Sequence, residues 1–277
     1  MDTTTFLPAA CVSLVAYLSV LVISRARPIT LPSHQFEAID GLRGYLALFV
    51  FIHHACVWFF YLRGGAWGKL TSPLYTHLGQ SGVALFFMIT SLLFFTKILD
   101  SKARPMDWKR LYIGRVLRLA PLYTVVVIFM LMIVLLMTDW SIKDSYYRLL
   151  KDSAKWFLFT VPGSPDINGL KDTFTIVAGA PWTLPYEWFY YLALPILALL
   201  AGRRPSLASL LLTATVISAM LSLWRPNPIH FWSFAGGVFA AIVVRYPSFR
   251  AFCRSALASC LTVLIVVVCC TVFPDAY

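Results

Sequence analysis

The chain has 277 residues, 60% of them hydrophobic and only 13% charged, with a mean hydropathy of +0.77. Soluble domains carry about a quarter charged residues, so a soluble globular fold is excluded and an all-α, polytopic transmembrane helix bundle is indicated. The net charge of +11 would suggest nucleic acid in a soluble chain, but here lysines and arginines lie between apolar runs, as in cytoplasmic loops, and nucleic-acid binding is set aside.

Residues 8 to 24 form an apolar run preceded by Asp2 and closed by Arg25 and Arg27. A secretory signal has the opposite order, so 1–30 reads as an uncleaved N-terminal span with its basic stop inside. A second span is expected from Gly44 to Leu62, followed by a short outer loop holding Arg63, Lys69 and His77. The third runs from Gln80 to Lys97. The linker 97–118, with Lys97, Lys102, Arg104, Lys109, Arg110, Arg115 and Arg118, is the densest positive cluster and is expected in the cytoplasm. A fourth span, Leu119 to Met137, leads into a long polar connection, 138–181. Within it, Leu149 to Val161 is too short and charged for a crossing and reads as a short interfacial helix. Further spans are expected over Thr183 to Leu200, Ser206 to Trp224, Ile229 to Val244 and Ala256 to Val272. That makes about eight, with every arginine-rich loop on one side. No repeat or soluble domain interrupts them. The six cysteines, Cys11, Cys56, Cys253, Cys260, Cys269 and Cys270, include no C-x-x-C pair, so neither zinc nor a disulfide framework is indicated.

Polar groups inside apolar runs carry the functional information. Arg43 and His54 are eleven residues apart, which on a helix is three turns plus about 20° and roughly 16 Å of rise. They share a face, with Arg43 at the cytoplasmic boundary and His54 near the middle of a hydrocarbon core about 30 Å thick. Ionisable groups at that depth are costly and mark functional sites, although an imidazole can also bond a neighbouring helix structurally. His53 points about 80° away from the Arg43 line. The chain has two glutamates, Glu37 and Glu187, and Glu187 lies in the aromatic run Pro181-Trp-Thr-Leu-Pro-Tyr-Glu-Trp-Phe-Tyr-Tyr191. Counted from Thr183 it sits about 6 Å below the outer interface. It either faces an outward cavity or escapes to the headgroups within a Trp and Tyr belt. Arg115 and Arg118 lie on one helix face near the cytoplasmic end, suited to phosphate or to topogenic and lipid-headgroup contact.

The run Asp40-Gly-Leu-Arg43-Gly, an aliphatic stretch and His53-His54 resembles the opening of the acyltransferase-3 family of membrane O-acyltransferases, whose signature arginine and histidine fall on Arg43 and His54. Trp182-Thr-Leu-Pro-Tyr-Glu187 resembles the family's W-S-L-x-x-E motif, with Thr183 in place of serine. Arg115-Val-Leu-Arg118-Leu-Ala-Pro121 resembles its R-x-x-R before a proline. Gly82-Val-Ala-Leu-Phe-Phe is similar to a fourth family segment, with Ala84 where an acid stands. The resemblance implies an acyltransferase-3-like domain over 37–277, a cytoplasmic acyl-CoA co-substrate, commonly acetyl-CoA, a carbohydrate hydroxyl as extracytoplasmic acceptor and a bacterial inner membrane. It implies no bound cofactor or metal. His54 and Glu187 are then the expected catalytic groups, Arg43, Arg115 and Arg118 the donor-binding groups, and Asp40, His53 and Trp182 their supports. Family chains carry more spans, so the last ones are expected to be missing from this chain. Two other readings compete: a transporter or lipid-binding protein using His54 and Glu187 as a relay, and an inactive truncated member. The sequence leaves the oligomeric state open.

Overall fold

The computed structural model describes residues 5–26, 37–64, 66–68, 70, 72–101 and 106–273. Asp2, Arg27, Lys69, Lys102 and Arg104 lie outside them, as does the Glu37 side chain. Ten α-helices occur among the described residues: α1 Phe6–Ala26, α2 Glu37–Tyr61, α3 Pro73–Asp100, α4 Trp108–Met137, α5 Tyr146–Phe157, α6 Leu184–Leu200, α7 Leu207–Leu223, α8 Ile229–Val243, α9 Pro247–Cys253 and α10 Ala256–Val272. Among the described residues extended pairing is limited to one isolated bridge, Ile167 with Leu170. The class is all-α. Helices α1 to α4 are long and apolar enough to cross a membrane, and α8 with α9 counts as a fifth if the pair is one interrupted span. Helices α6, α7 and α10 have 17 residues each, the short end of what spans a core about 30 Å thick.

Three of the expected boundaries move substantially, the first being the start of α2, at Glu37 rather than Gly44. Pro73 opens α3 two turns before the expected start at Gln80, since proline suits the first helical position. His77 is therefore a buried helical residue rather than part of an outer loop, and its Nε2 lies 2.9 Å from the Phe273 carbonyl. The basic linker is also mostly helix. Lys97 belongs to the last turn of α3, while Lys109, Arg110, Arg115 and Arg118 belong to α4. The cause is Asp107, whose carboxylate accepts from the Arg110 amide at 2.9 Å and caps α4 eleven residues before the apolar run begins.

The chain divides into two compact units, 1–90 with 242–277, and 91–241. In the first, Ala9 of α1, Ile52 and Cys56 of α2 and Tyr75 of α3 form a buried cluster. Glycines bring α2 and α3 together, as is usual where membrane helices approach closely. At Gly82 the position of a Cβ lies 3.0 Å from Val50 Cγ2.

In the second unit the connection after α4 folds back on that helix. Tyr123, Val127, Met130 and Val134 of α4 pack against Trp156 and Ile167. The Tyr123 hydroxyl donates to the Trp156 carbonyl at 2.6 Å, and the Trp156 indole donates to the Pro165 carbonyl at 2.9 Å. Helix α5, three residues ahead of the expected interfacial helix, presents Asp152 to Arg148 at 3.6 Å and to Lys155 at 2.9 Å. The hub of this connection is Asn168, 1% exposed. Its amide donates to Thr138 Oγ1 at 2.9 Å and to the Ser141 carbonyl at 2.7 Å, while its oxygen accepts from the Lys143 amide at 2.8 Å. Replacing Asn168 by alanine strands several buried groups. That change is expected to destabilise the connection by about 2–3 kcal/mol. Limited proteolysis should then cut within 138–183 much faster than in the wild type, and an unchanged rate would mean the network does not hold the segment.

Candidate active site

Helix α2 is unbroken through Arg43 and His54, so the periodicity argument for a shared face holds. Asp40 sits one turn before Arg43, with its carboxylate 3.6 Å from the guanidinium. The two histidines have different surroundings. His53 Nδ1 lies 2.7 Å from the Tyr75 carbonyl of α3 and donates to it, and the ring rests over Gly79, where a Cβ would come within 2.4 Å of it. That carbonyl already belongs to a helical turn, and His53 takes its second lone pair. The His54 ring meets the His53 ring edge-on, with centroids 5.0 Å apart. Its Nδ1 is buried without a hydrogen-bond partner among the described residues. A buried, unpaired nitrogen costs free energy, and such atoms call for an explanation beyond packing.

The second unit assembles a second group. Glu187, in the first turn of α6, accepts a hydrogen bond from Tyr191 one turn on, at 2.9 Å. Arg115 approaches the same tyrosine hydroxyl, and its guanidinium stands 5.1 Å from the centre of the Phe94 ring. Phe94 in turn packs on Tyr191 at 5.1 Å. Arg115 and Glu187 are thus joined through Tyr191, although counting residues from the two interfaces places them near opposite mouths. The count fails because the 138–183 connection covers α4 at Tyr123 to Val134, so α6 starts beside the middle of α4 and not at its far end. Arg118, one turn beyond Arg115, is exposed. Lys97 lies near enough to both arginines to feel their charge.

Trp182 is 39% exposed, 4.9 Å from the His230 ring and edge-on to Tyr186 at 5.8 Å. Tyr186 also packs on Trp224 at 4.6 Å and accepts from the Asn227 amide at 2.8 Å. Thr183, standing where the resemblance has serine, donates to the Ala180 carbonyl at 3.3 Å, a bond serine makes equally well. Among the described residues no group of three or more His, Cys, Asp and Glu is arranged to hold a metal ion.

A family model described as an acyltransferase domain, Acyl_transf_3, matches residues 36–277. The chain belongs to the acyltransferase-3 family. No curated protein and no solved structure matches it significantly. Membership makes the chain a membrane acyltransferase in general terms, and every motif residue discussed above falls inside the matched range.

The residues missed from the sequence are Tyr191 and Phe94. Tyr191 was within reach, because a hydroxyl four residues after a lone glutamate on a helix is its neighbour. Phe94 gives no such signal, since it is one aromatic among 21 phenylalanines and acquires its place only through tertiary packing.

Proposed function

We propose that this acyltransferase-3 protein moves an acyl group, acetyl in the simplest case, from cytoplasmic acyl-CoA to a hydroxyl of an extracytoplasmic carbohydrate. The observation that carries the reading is the buried, partnerless Nδ1 of His54 on the helix face of Arg43. A nitrogen that no group among the described residues satisfies is the one left for a substrate. His54 takes the proton of the acceptor hydroxyl as its oxygen attacks the thioester carbonyl. The carbon–sulfur bond then breaks and the proton passes to the leaving thiolate. In the alternative course the imidazole attacks the thioester carbonyl first, the carbon–sulfur bond breaks and the thiol leaves with the ring proton; the acceptor hydroxyl then attacks the acyl-imidazole, the carbon–nitrogen bond breaks and the hydroxyl proton returns to the ring. Arg43, Arg115 and Arg118 attract the phosphate-bearing donor. Glu187, held by Tyr191, orients the acceptor or receives a proton.

The test is consumption of acetyl-CoA by the purified protein with release of free thiol, dependent on an added carbohydrate acceptor. No consumption with any acyl-CoA would remove the reading. Within it, Arg43→Lys keeps the charge but loses the planar fork that matches phosphate and carboxylate. We expect the KM for acetyl-CoA to rise about tenfold, equivalent to about 1.4 kcal/mol, with Asp40→Asn smaller in the same direction. Unchanged donor kinetics in Arg43→Lys would make that arginine structural.

A further inference from the structure

The second unit contains a cavity of about 590 Å³ apart from the residues discussed above. Ser101 at the end of α3 and Trp108 at the start of α4 line it, facing Gly202, Arg203 and Arg204 in the turn between α6 and α7. Its size falls in the range that buries a drug-sized ligand, about 300–1,000 Å³. Among the described residues its lining carries two guanidinium groups and no carboxylate.

One of those guanidiniums is held in place by the fold. Gly202 has φ +73°, a left-handed value that glycine adopts freely, and it closes α6 with the Gly202 amide donating to Leu199 and the Arg203 amide to Ala198 at 2.9 Å. This paired closure turns the chain so that the Arg203 side chain reaches the last turn of α3. There Nε donates to the Ile98 carbonyl at 3.0 Å and Nη2 to the Leu99 carbonyl at 2.7 Å. Arg203 is thereby fixed at the cavity wall with Nη1 still to donate. Arg204 beside it is exposed and forms no ion pair among the described residues. Trp108 adds a flat apolar ring, the surface on which a nucleobase stacks whatever its identity. Fixed cation, second cation and aromatic plane are the three things a purine nucleotide needs. Both flanking turns are ones whose basic residues the sequence assigns to the cytoplasmic side.

We propose that this cavity binds the nucleotide end of the donor thioester, with the purine on Trp108 and phosphate oxygens on Arg203 and Arg204. The proposal rests on the acyl-CoA reading given above and adds to it a recognition site whose lining residues are other than Arg43, Arg115 and Arg118. An anionic lipid offers the same phosphate chemistry without a purine, and that difference sets the experiment. Binding of 3′,5′-ADP to the detergent-solubilised full chain is measured by calorimetry, together with transfer from acetyl-CoA and from S-acetylpantetheine, which lacks the nucleotide. Trp108→Ala and Arg204→Ala are used because Arg203→Ala would also loosen α6 from α3. Each is expected to weaken 3′,5′-ADP binding about tenfold, or about 1.4 kcal/mol, and to lower the ratio of acetyl-CoA to S-acetylpantetheine turnover by a similar factor. Equal 3′,5′-ADP affinity in wild type and both variants overturns the proposal. So does displacement of the nucleotide by phosphatidylglycerol micelles at equal phosphate concentration, which would make this a lipid-headgroup site. If the nucleotide binds in a Trp108-dependent way and no acyl group is ever transferred, the cavity stands and the acyltransferase reading falls.

Discussion

Replacing His54 by alanine is expected to lower acyl transfer by about 10²–10⁴-fold, the range a positioned general base supplies, while leaving the protein folded and inserted. The expectation follows from where the ring sits. Its Nδ1 has no partner among the described residues, so removing it breaks no protein hydrogen bond at that atom and relieves a buried polar group. A purely structural histidine would behave in the reverse way, losing stability along with its bond. The contrast with His53 sharpens the test, because His53 does make such a bond, to the Tyr75 carbonyl at 2.7 Å. His53→Ala should therefore lower the unfolding temperature in detergent more than His54→Ala and lower the rate less. Wild-type turnover in His54→Ala removes the catalytic assignment. Incubation with radiolabelled acetyl-CoA in the absence of acceptor then divides the two chemical courses, since only the acyl-imidazole route leaves label on the chain.

The short α9 was not read, whereas helices α6, α7, α8 and α10 were legible to within a residue at both ends, and the reason is local. Ser206 and Ser255 each cap a helix by accepting from the amide three residues on, and basic residues follow α6 and α8, so capping and charge mark the same boundaries as hydropathy. Helices α2, α3 and α4 were longer than read because hydropathy reports the lipid-matched portion of a helix and is silent on its polar extensions. Apart from its short helix α5, the connection 138–183 was illegible for a different reason. Its order comes from contacts such as Asn168 with Thr138 and Trp156 with Pro165, and no periodicity in the sequence announces a hydrogen bond across thirty residues. The site divides along the same line. Arg43, His54 and Asp40 lie on one helix and obey its period. The link from Arg115 to Glu187 depends on which helices pack side by side, and depth counted along each helix alone put the two residues apart.

Gly79 carries the second large effect. A methyl group there would lie 2.4 Å from His53 Cγ and 2.6 Å from both Cδ2 and Nδ1, well inside contact distance. These are atoms at the base of a ring that is itself tied to the Tyr75 carbonyl, so the neighbour cannot swing its far end away. Either α2 and α3 separate or His53 leaves, and leaving strands a buried donor. Gly79→Ala is therefore expected to destabilise the α2–α3 pair by about 2–4 kcal/mol, the sum of an overpacking cost and a lost hydrogen bond. Because His53 abuts His54 at 5.0 Å, the same change should also depress acyl transfer. The double variant Gly79→Ala/His53→Ala separates this steric account from a general intolerance of alanine. Without the ring there is nothing for the methyl to strike, so the double variant should unfold at or above the temperature of His53→Ala alone, a strongly non-additive cycle of the kind that contacting residues give. Additive losses measured by thermal unfolding in detergent would mean that the ring does not rest on Gly79, and with it would go the argument that His53 is spent on packing and His54 is left for chemistry.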